Sequence, residues 1–125
     1  MLPSKVWISK DAAGVLRALA QRSRLKPNLL ARMALATSLE LGRLEVAGKR
    51  TLSGGQEFNT YTLLGVDQEI YLALVEIVEG ETDEVLDIDT LIERMVAHIE
   101  RGITQIAVRV RSPADAARLL AGAAA

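Results

Sequence analysis

The chain has 125 residues, half of them hydrophobic, with 15 Lys/Arg, 16 Asp/Glu, one histidine and no cysteine; this length and hydrophobic share suit one domain, residues 1–125, with a modest core. The missing cysteine excludes disulfides, thiolate metal sites, a cysteine nucleophile and sulfur carried as a persulfide, and the lone His98 excludes a multi-histidine metal site. No apolar run reaches the roughly 18 residues of a membrane span and the first ten residues lack an apolar signal-peptide core, so the expected location is the cytoplasm, with no membrane contact.

The near-zero net charge conceals an uneven distribution. Residues 1–50 carry ten Lys/Arg against three acids, a net +7, and the remainder carries five against thirteen, a net −8. Such asymmetry suggests nucleic-acid contact through the basic part, with the acidic part facing solvent or a basic partner. Mutual neutralisation within the fold or across subunits is the alternative. With only Trp7, Phe58, Tyr61 and Tyr71 as aromatics, the core must come from Leu, Ile, Val, Met and Ala, which favours helix packing.

Residues 5–9 alternate, with Val6 and Ile8 opposite Lys5, Trp7 and Ser9, the period of a short strand. Ser9 then caps a first helix, Asp11 favours its positive end, and Ala12, Val15, Leu16 and Leu19 recur at helical spacing to an end near 22–24. Pro27 disfavours helical geometry at Lys26 but suits the first position of a second helix, over about 27–41, with Leu30, Met33, Ala34, Thr37 and Leu41 on one stripe and Gly42 as its stop. Residues 47–60 read as a loop; their Gly-Gly pair lacks the Lys-Ser/Thr of a phosphate-binding loop. A brief strand is expected over 58–64, and Asp67 caps a helix to about Val78 that buries Ile70, Leu74 and Ile77 or Val78.

Residues 79–93 hold seven acids, but the alternating carboxylates of residues 87–94 lack the glycine and terminal glutamate at the spacing that a calcium loop needs, so no metal site is assigned. Asp87 or Asp89 instead caps a long helix with the stripe Leu91, Ile92, Met95, Val96, Ile99, Ile103 and Ile106. Ser112 and Pro113 begin a short Ala-rich terminal helix whose last residues fray. His98 has no candidate ligand or nucleophile near it and reads as structural. The expected fold is therefore mainly α-helical (α+β with one or two short strands), divided into a basic strand-helix-turn-helix (1–44), a loop with a short strand (45–65) and an acidic helical part (66–125).

The first turn of a helix leaves N–H groups unpaired and carries partial positive charge, which suits an anion. Pro27 fixes that turn, Asn28 adds a polar side chain, Lys26 and Arg32 add charge, and Arg22 and Arg24 approach from the preceding helix. With Lys5, Lys10 and Arg17 these form the candidate DNA-binding set, one that positions a duplex by its phosphates and reads no bases.

The order strand, helix, turn, helix resembles a ribbon–helix–helix DNA-binding unit, in which two chains pair their strands. The Leu2-Pro3 start, the Ser9-capped helix, Pro27-Asn28 followed by Ala31-Arg32, the Ser-x-Glu-x-Gly helix end from Ser38 to Gly42, and Ala97-His98 ahead of Glu100, Gly102 and Ile103 together resemble the DndE family of DNA sulfur-modification (phosphorothioation) proteins. Lys26 departs from the hydroxyl cap that the family more often carries before the proline. The resemblance implies a non-catalytic accessory subunit without a cofactor, a homo-oligomer, most simply a tetramer, that binds nicked double-stranded DNA through basic residues and works with the other modification proteins. A ribbon–helix–helix transcriptional regulator and an assembly subunit without DNA binding of its own are the alternatives.

Overall fold

The computed structural model describes residues 3–44, 55–80 and 86–124; residues 47–54 of the loop expected over 47–60 and residues 81–85 of the acidic run lie outside them, and within the rest of that stretch Gln56–Asn59 are strand rather than loop. Strand β1 (Lys5–Ile8) leads into α1 (Lys10–Ser23) and α2 (Pro27–Glu40). Further along the chain come β2 (Gln56–Asn59), α3 (Thr60–Leu64), a 3-10 turn (Gly65–Asp67), α4 (Gln68–Glu79), α5 (Ile88–Arg109) and α6 (Pro113–Ala124). The mainly helical fold with short strands is as the sequence implied. The strand that a ribbon–helix–helix unit would lend to a second chain is paired here within the chain: β1 runs antiparallel to β2, with Val6 opposite Phe58 and Trp7 opposite Glu57.

The helix starts follow from their caps. Ser9 accepts from the Ala12 N–H at 3.2 Å, Asp87 accepts from Thr90 at 2.8 Å and Ser112 accepts from Asp115 at 3.2 Å. Each satisfies a first-turn donor that would otherwise lack a partner. Asp67, by contrast, makes no capping bond to α4, because the chain enters that helix through the 3-10 turn. The stretch expected as a strand over 58–64 is strand only to Asn59; there the Asn59 side chain accepts from Thr62 at 3.0 Å and starts α3.

Helix α5 is the centre of the molecule. Its buried face contains Leu91, Met95, Val96, Ile99, Ile103 and Ile106, the expected stripe apart from Ile92, which is half-buried, and it makes its most extensive contact with α2. Fully burying each such side chain stabilises the fold by about 1.5–3 kcal/mol before entropy is charged against it. The buried face of α2 is Leu30, Ala31, Ala34, Leu35 and Ser38, rotated from the expected stripe; Leu41 is exposed and Met33 and Thr37 are half-buried. The rotation places Ala34 against Gly102, where an added Cβ would lie 1.8 Å from the Ala34 carbonyl oxygen.

The phase of α4 also differs from expectation. Its buried residues are Leu72, Val75 and Glu79, whereas Ile70, Leu74 and Ile77 are exposed, Ile77 by 73 %. Helix α4 is apolar on two sides, so hydrophobic spacing could not select the inward one. What selects it is Glu79, whose side chain is completely buried and therefore needs partners.

Those partners include His98, which has the structural place expected of it, held by side chains that its sequence neighbourhood does not reveal. The Glu79 carboxylate accepts from His98 Nε2 at 3.0 Å, from Arg94 at 2.5 Å and from the Leu44 N–H at 2.9 Å. His98 Nδ1 lies 2.7 Å from Ser38 Oγ, which already accepts from Arg101 Nε at 2.8 Å. The Glu79 carboxylate can only accept, so Nε2 carries the proton, and in the neutral imidazole that burial favours Nδ1 accepts from the Ser38 hydroxyl. Arg101 also donates to the carbonyls of Ser38 at 2.6 Å and Gly42 at 2.5 Å, closing the end of α2. No buried side-chain polar atom among the described residues lacks a partner.

Burial pushes the His98 imidazole below its ordinary value of 6.5, against the pull of Glu79. Burial opposes ionisation of Glu79, but the bonds from Leu44, Arg94 and His98 outweigh it and hold the carboxyl below its ordinary 4.5.

Gly102→Ala should lower unfolding stability by about 3 kcal/mol or more, because backbone rather than a flexible side chain must move; denaturant titration measures it, and a change under about 1 kcal/mol would contradict the close approach. For His98, the unfolded chain takes up a proton near 6.5 and the folded chain only at lower pH, so stability falls as pH drops below 6.5; Glu79 adds a decrease in the same direction below 4.5. The melting temperature should therefore fall between pH 7 and 5.5, and His98→Gln, which removes the only histidine, should flatten that dependence.

Candidate nucleic-acid interface

The eight basic and polar residues of the first third divide into two kinds. Arg22, on the last turn of α1, donates from Nε to the Val110 carbonyl at 3.2 Å and from a terminal nitrogen to Ala107 at 2.9 Å. It therefore holds the C-terminal end of α5, where carbonyls lack helical partners and cations are favoured. Arg32 does the same for α3, donating to Leu63 and Thr62 at 2.5 and 2.8 Å, and Asn28 donates to Thr62 at 3.3 Å. Two members expected at the anion site of α2, Asn28 and Arg32, thus turn towards α3.

Lys10, Arg17, Arg24 and Lys26 are exposed, and their side chains make no hydrogen bond or ion pair among the described residues. Lys10 and Arg17 lie on α1, and Arg24 and Lys26 flank Leu25 in the turn to α2. Lys5 is exposed on β1 and pairs with Glu57 at 2.9 Å.

Local backbone geometry builds this turn. Arg24 closes α1 in the left-handed region, φ 62° and ψ 19°, with its N–H donating to Ala20 at 2.9 Å. A side chain there costs roughly 1 kcal/mol relative to glycine. Lys26 is extended, φ −68° and ψ 146°, and contributes no side-chain cap to α2, whose first residue is Pro27. The opening of α2 is consequently a helix N-terminus with no capping side chain, carrying two solvated cations immediately before it.

Beside the turn, Trp7, Arg17, Gln21, Pro27, Gln56 and Glu57 line an open cavity of about 690 Å³. In the sequence, Trp7 falls on the outward face of β1, but nothing associates it with the two glutamines. The only signal there is a tryptophan in the exposed phase, and the stretch that supplies Gln56 and Glu57 reads as loop. Elsewhere, no group of three or more potential metal-ligating side chains occurs among the described residues. No helix of these residues is long and apolar enough to cross a membrane.

A family model described as DNA sulphur modification protein DndE matches residues 5–113, from β1 through α5 to the first residue of α6. Comparison with curated proteins gave no match. Among solved structures, DndE from Escherichia coli B7A, described as involved in DNA phosphorothioation modification, is similar with a TM-score of 0.71 and 25 % identity, over 85 % of this chain and 98 % of that one. A mutant DndE, described as involved in DNA phosphorothioation, gives a TM-score of 0.63 at 24 % identity over 84 % and 97 % of the two chains, a likeness of fold. With the family match spanning the ribbon, the basic turn and the central helix, the chain belongs to the DndE family of DNA sulfur modification proteins.

Proposed function

We propose that the chain is a non-catalytic, DNA-binding accessory subunit of the phosphorothioation machinery, contacting the phosphates of double-stranded DNA, nicked duplexes among them, through the basic surface of its first third. The observation that carries the reading is the division of labour among the polar and basic side chains: Arg22, Asn28 and Arg32 fix the helices, while Lys10 and Arg17 along α1 and Arg24 and Lys26 in the turn that follows it remain solvated. Solvated cations that can release counterions on meeting phosphate are what non-specific duplex binding requires. The left-handed conformation held at Arg24, despite its cost, supports a role for the side chain placed there. Lys5 is shared with Glu57 and contributes less.

The non-enzymatic part of the reading rests on chemistry the chain does not present. Phosphodiester chemistry needs a nucleophile or a metal-held water. There is no cysteine, and His98 is fully buried between Ser38 and Glu79. The protein acts, in this reading, beside the other sulfur-modification proteins. It does so as a homo-oligomer, a tetramer by family resemblance, with the exposed apolar side chains Val66, Ile70, Leu74 and Ile77 available for contact.

Neutralising Arg17, Arg24 and Lys26 together should weaken binding equally for unrelated duplex sequences and flatten the plot of log affinity against log salt by roughly 0.9 for each phosphate that is no longer neutralised. Light scattering in the same buffers should give a multiple of the 13.5 kDa chain mass. An unchanged salt slope in a folded variant would place the DNA surface elsewhere, a monomer at micromolar concentration would remove the oligomer, and absence of DNA binding would favour a pure assembly role.

A further inference from the structure

Trp7 is the only tryptophan of the chain and 44 % exposed, on the outward side of the ribbon. The cavity beside it draws on four elements: Trp7 from β1, Arg17 and Gln21 from α1, Pro27 from α2, and Gln56 and Glu57 from β2. Its chemistry differs from that of the basic turn next to it. A carboxylate in the wall disfavours a phosphate inside, even with Lys5 at 2.9 Å from Glu57. An indole and a proline offer apolar surface to a flat ligand. Two amides and a carboxylate supply donors and acceptors at its edge, in a space within the range of small-ligand pockets.

We propose that this cavity receives one unpaired nucleobase of DNA, stacked on Trp7 and held at its edge by Gln21, Gln56 and Glu57, while Arg17 meets an adjoining phosphate. The proposal rests on the DNA-binding reading above and adds to it a physical reason for selecting discontinuous DNA. A paired base is stacked and its edge occupied, whereas a base at a gap can leave the stack at much lower cost. Glu57 is an acceptor only, so it favours bases with an exocyclic amine, adenine, cytosine and guanine, over thymine. Arg24 and Lys26, beside Pro27 in the chain, are placed to meet phosphates of the flanking duplex.

The unmodified protein carries its own reporter, since all tryptophan emission comes from Trp7. End-labelled duplexes of one sequence, either intact or carrying a single unpaired adenine or thymine opposite a one-nucleotide gap, are titrated while label anisotropy and tryptophan emission are both recorded. The expected result is quenching by the adenine-gapped duplex, weaker quenching by the thymine one and little by the intact duplex. Trp7→Ala should reduce affinity for the gapped adenine duplex about 10-fold, Trp7→Phe should restore most of it, and intact-duplex affinity should change by less than about twofold, since stacking on an aromatic ring tolerates any ring with a π-face. Binding of every duplex with unchanged emission, or with equal quenching by all of them, would overturn this proposal and leave the DNA-binding reading standing. Absence of binding would overturn both. Trp7 shielded from acrylamide in the DNA-free protein would also overturn it, because a second copy would then fill the cavity.

Discussion

Helix α5 can lie against α2 only because residue 102 has no side chain. A Cβ there would occupy the space of the Ala34 carbonyl oxygen, and no rotation of a side chain could relieve it. That approach sets the position of the other elements. Four residues beyond Ala34, Ser38 meets His98 and Arg101, and His98 in turn meets Glu79 at the end of α4. The polar cluster therefore ties three helices at one end of the α2–α5 contact. At the far end of α5, Arg22 holds the carbonyls of Ala107 and Val110 and so ties in α1.

The proposed DNA-binding surface is a consequence of this frame. Once α1 and α2 are both fixed on α5, the three residues between them have little choice of path, and the turn Arg24-Leu25-Lys26 is pinned at each side. Leu25 is half-buried and anchors the turn to the core, leaving its two neighbours outside. A rigid turn with two outward cations loses less conformational freedom on meeting a phosphate than the same cations on a mobile tail. The arginines that complete the frame and those in solvent are the same residue type; what separates the two groups is whether a helix end within reach leaves carbonyls unpaired.

The parts legible in the sequence are those set by local chemistry. Caps at Ser9 and Asp87, the proline start of α2 and the long stripe of α5 depend on residues within a turn or two of each other, and each is found as expected. Interactions between residues distant in sequence were not legible. Nothing near His98 announces Ser38, 60 residues away, or Glu79, 19 residues away, and without Glu79 the inward side of α4 could not be chosen between two apolar faces. The charge distribution likewise marks the basic third but cannot tell Arg22 and Arg32, engaged with backbone, from Arg17 and Arg24. That distinction depends on where α3 and α5 end in space. The cavity beside Trp7 was hidden for a related reason, because β2 is a short polar stretch, Gln-Glu-Phe-Asn, and becomes a strand only by pairing with β1.

The central functional claim is that DNA meets the face containing the turn between α1 and α2. Amide hydrogen exchange of the protein with and without a saturating duplex addresses it directly, residue by residue and without any substitution. Slowed exchange is expected at residues 24–29 and along the exposed side of α1, with α4 unchanged. Protection confined to α4 and the start of α5, with the turn unaffected, would contradict it.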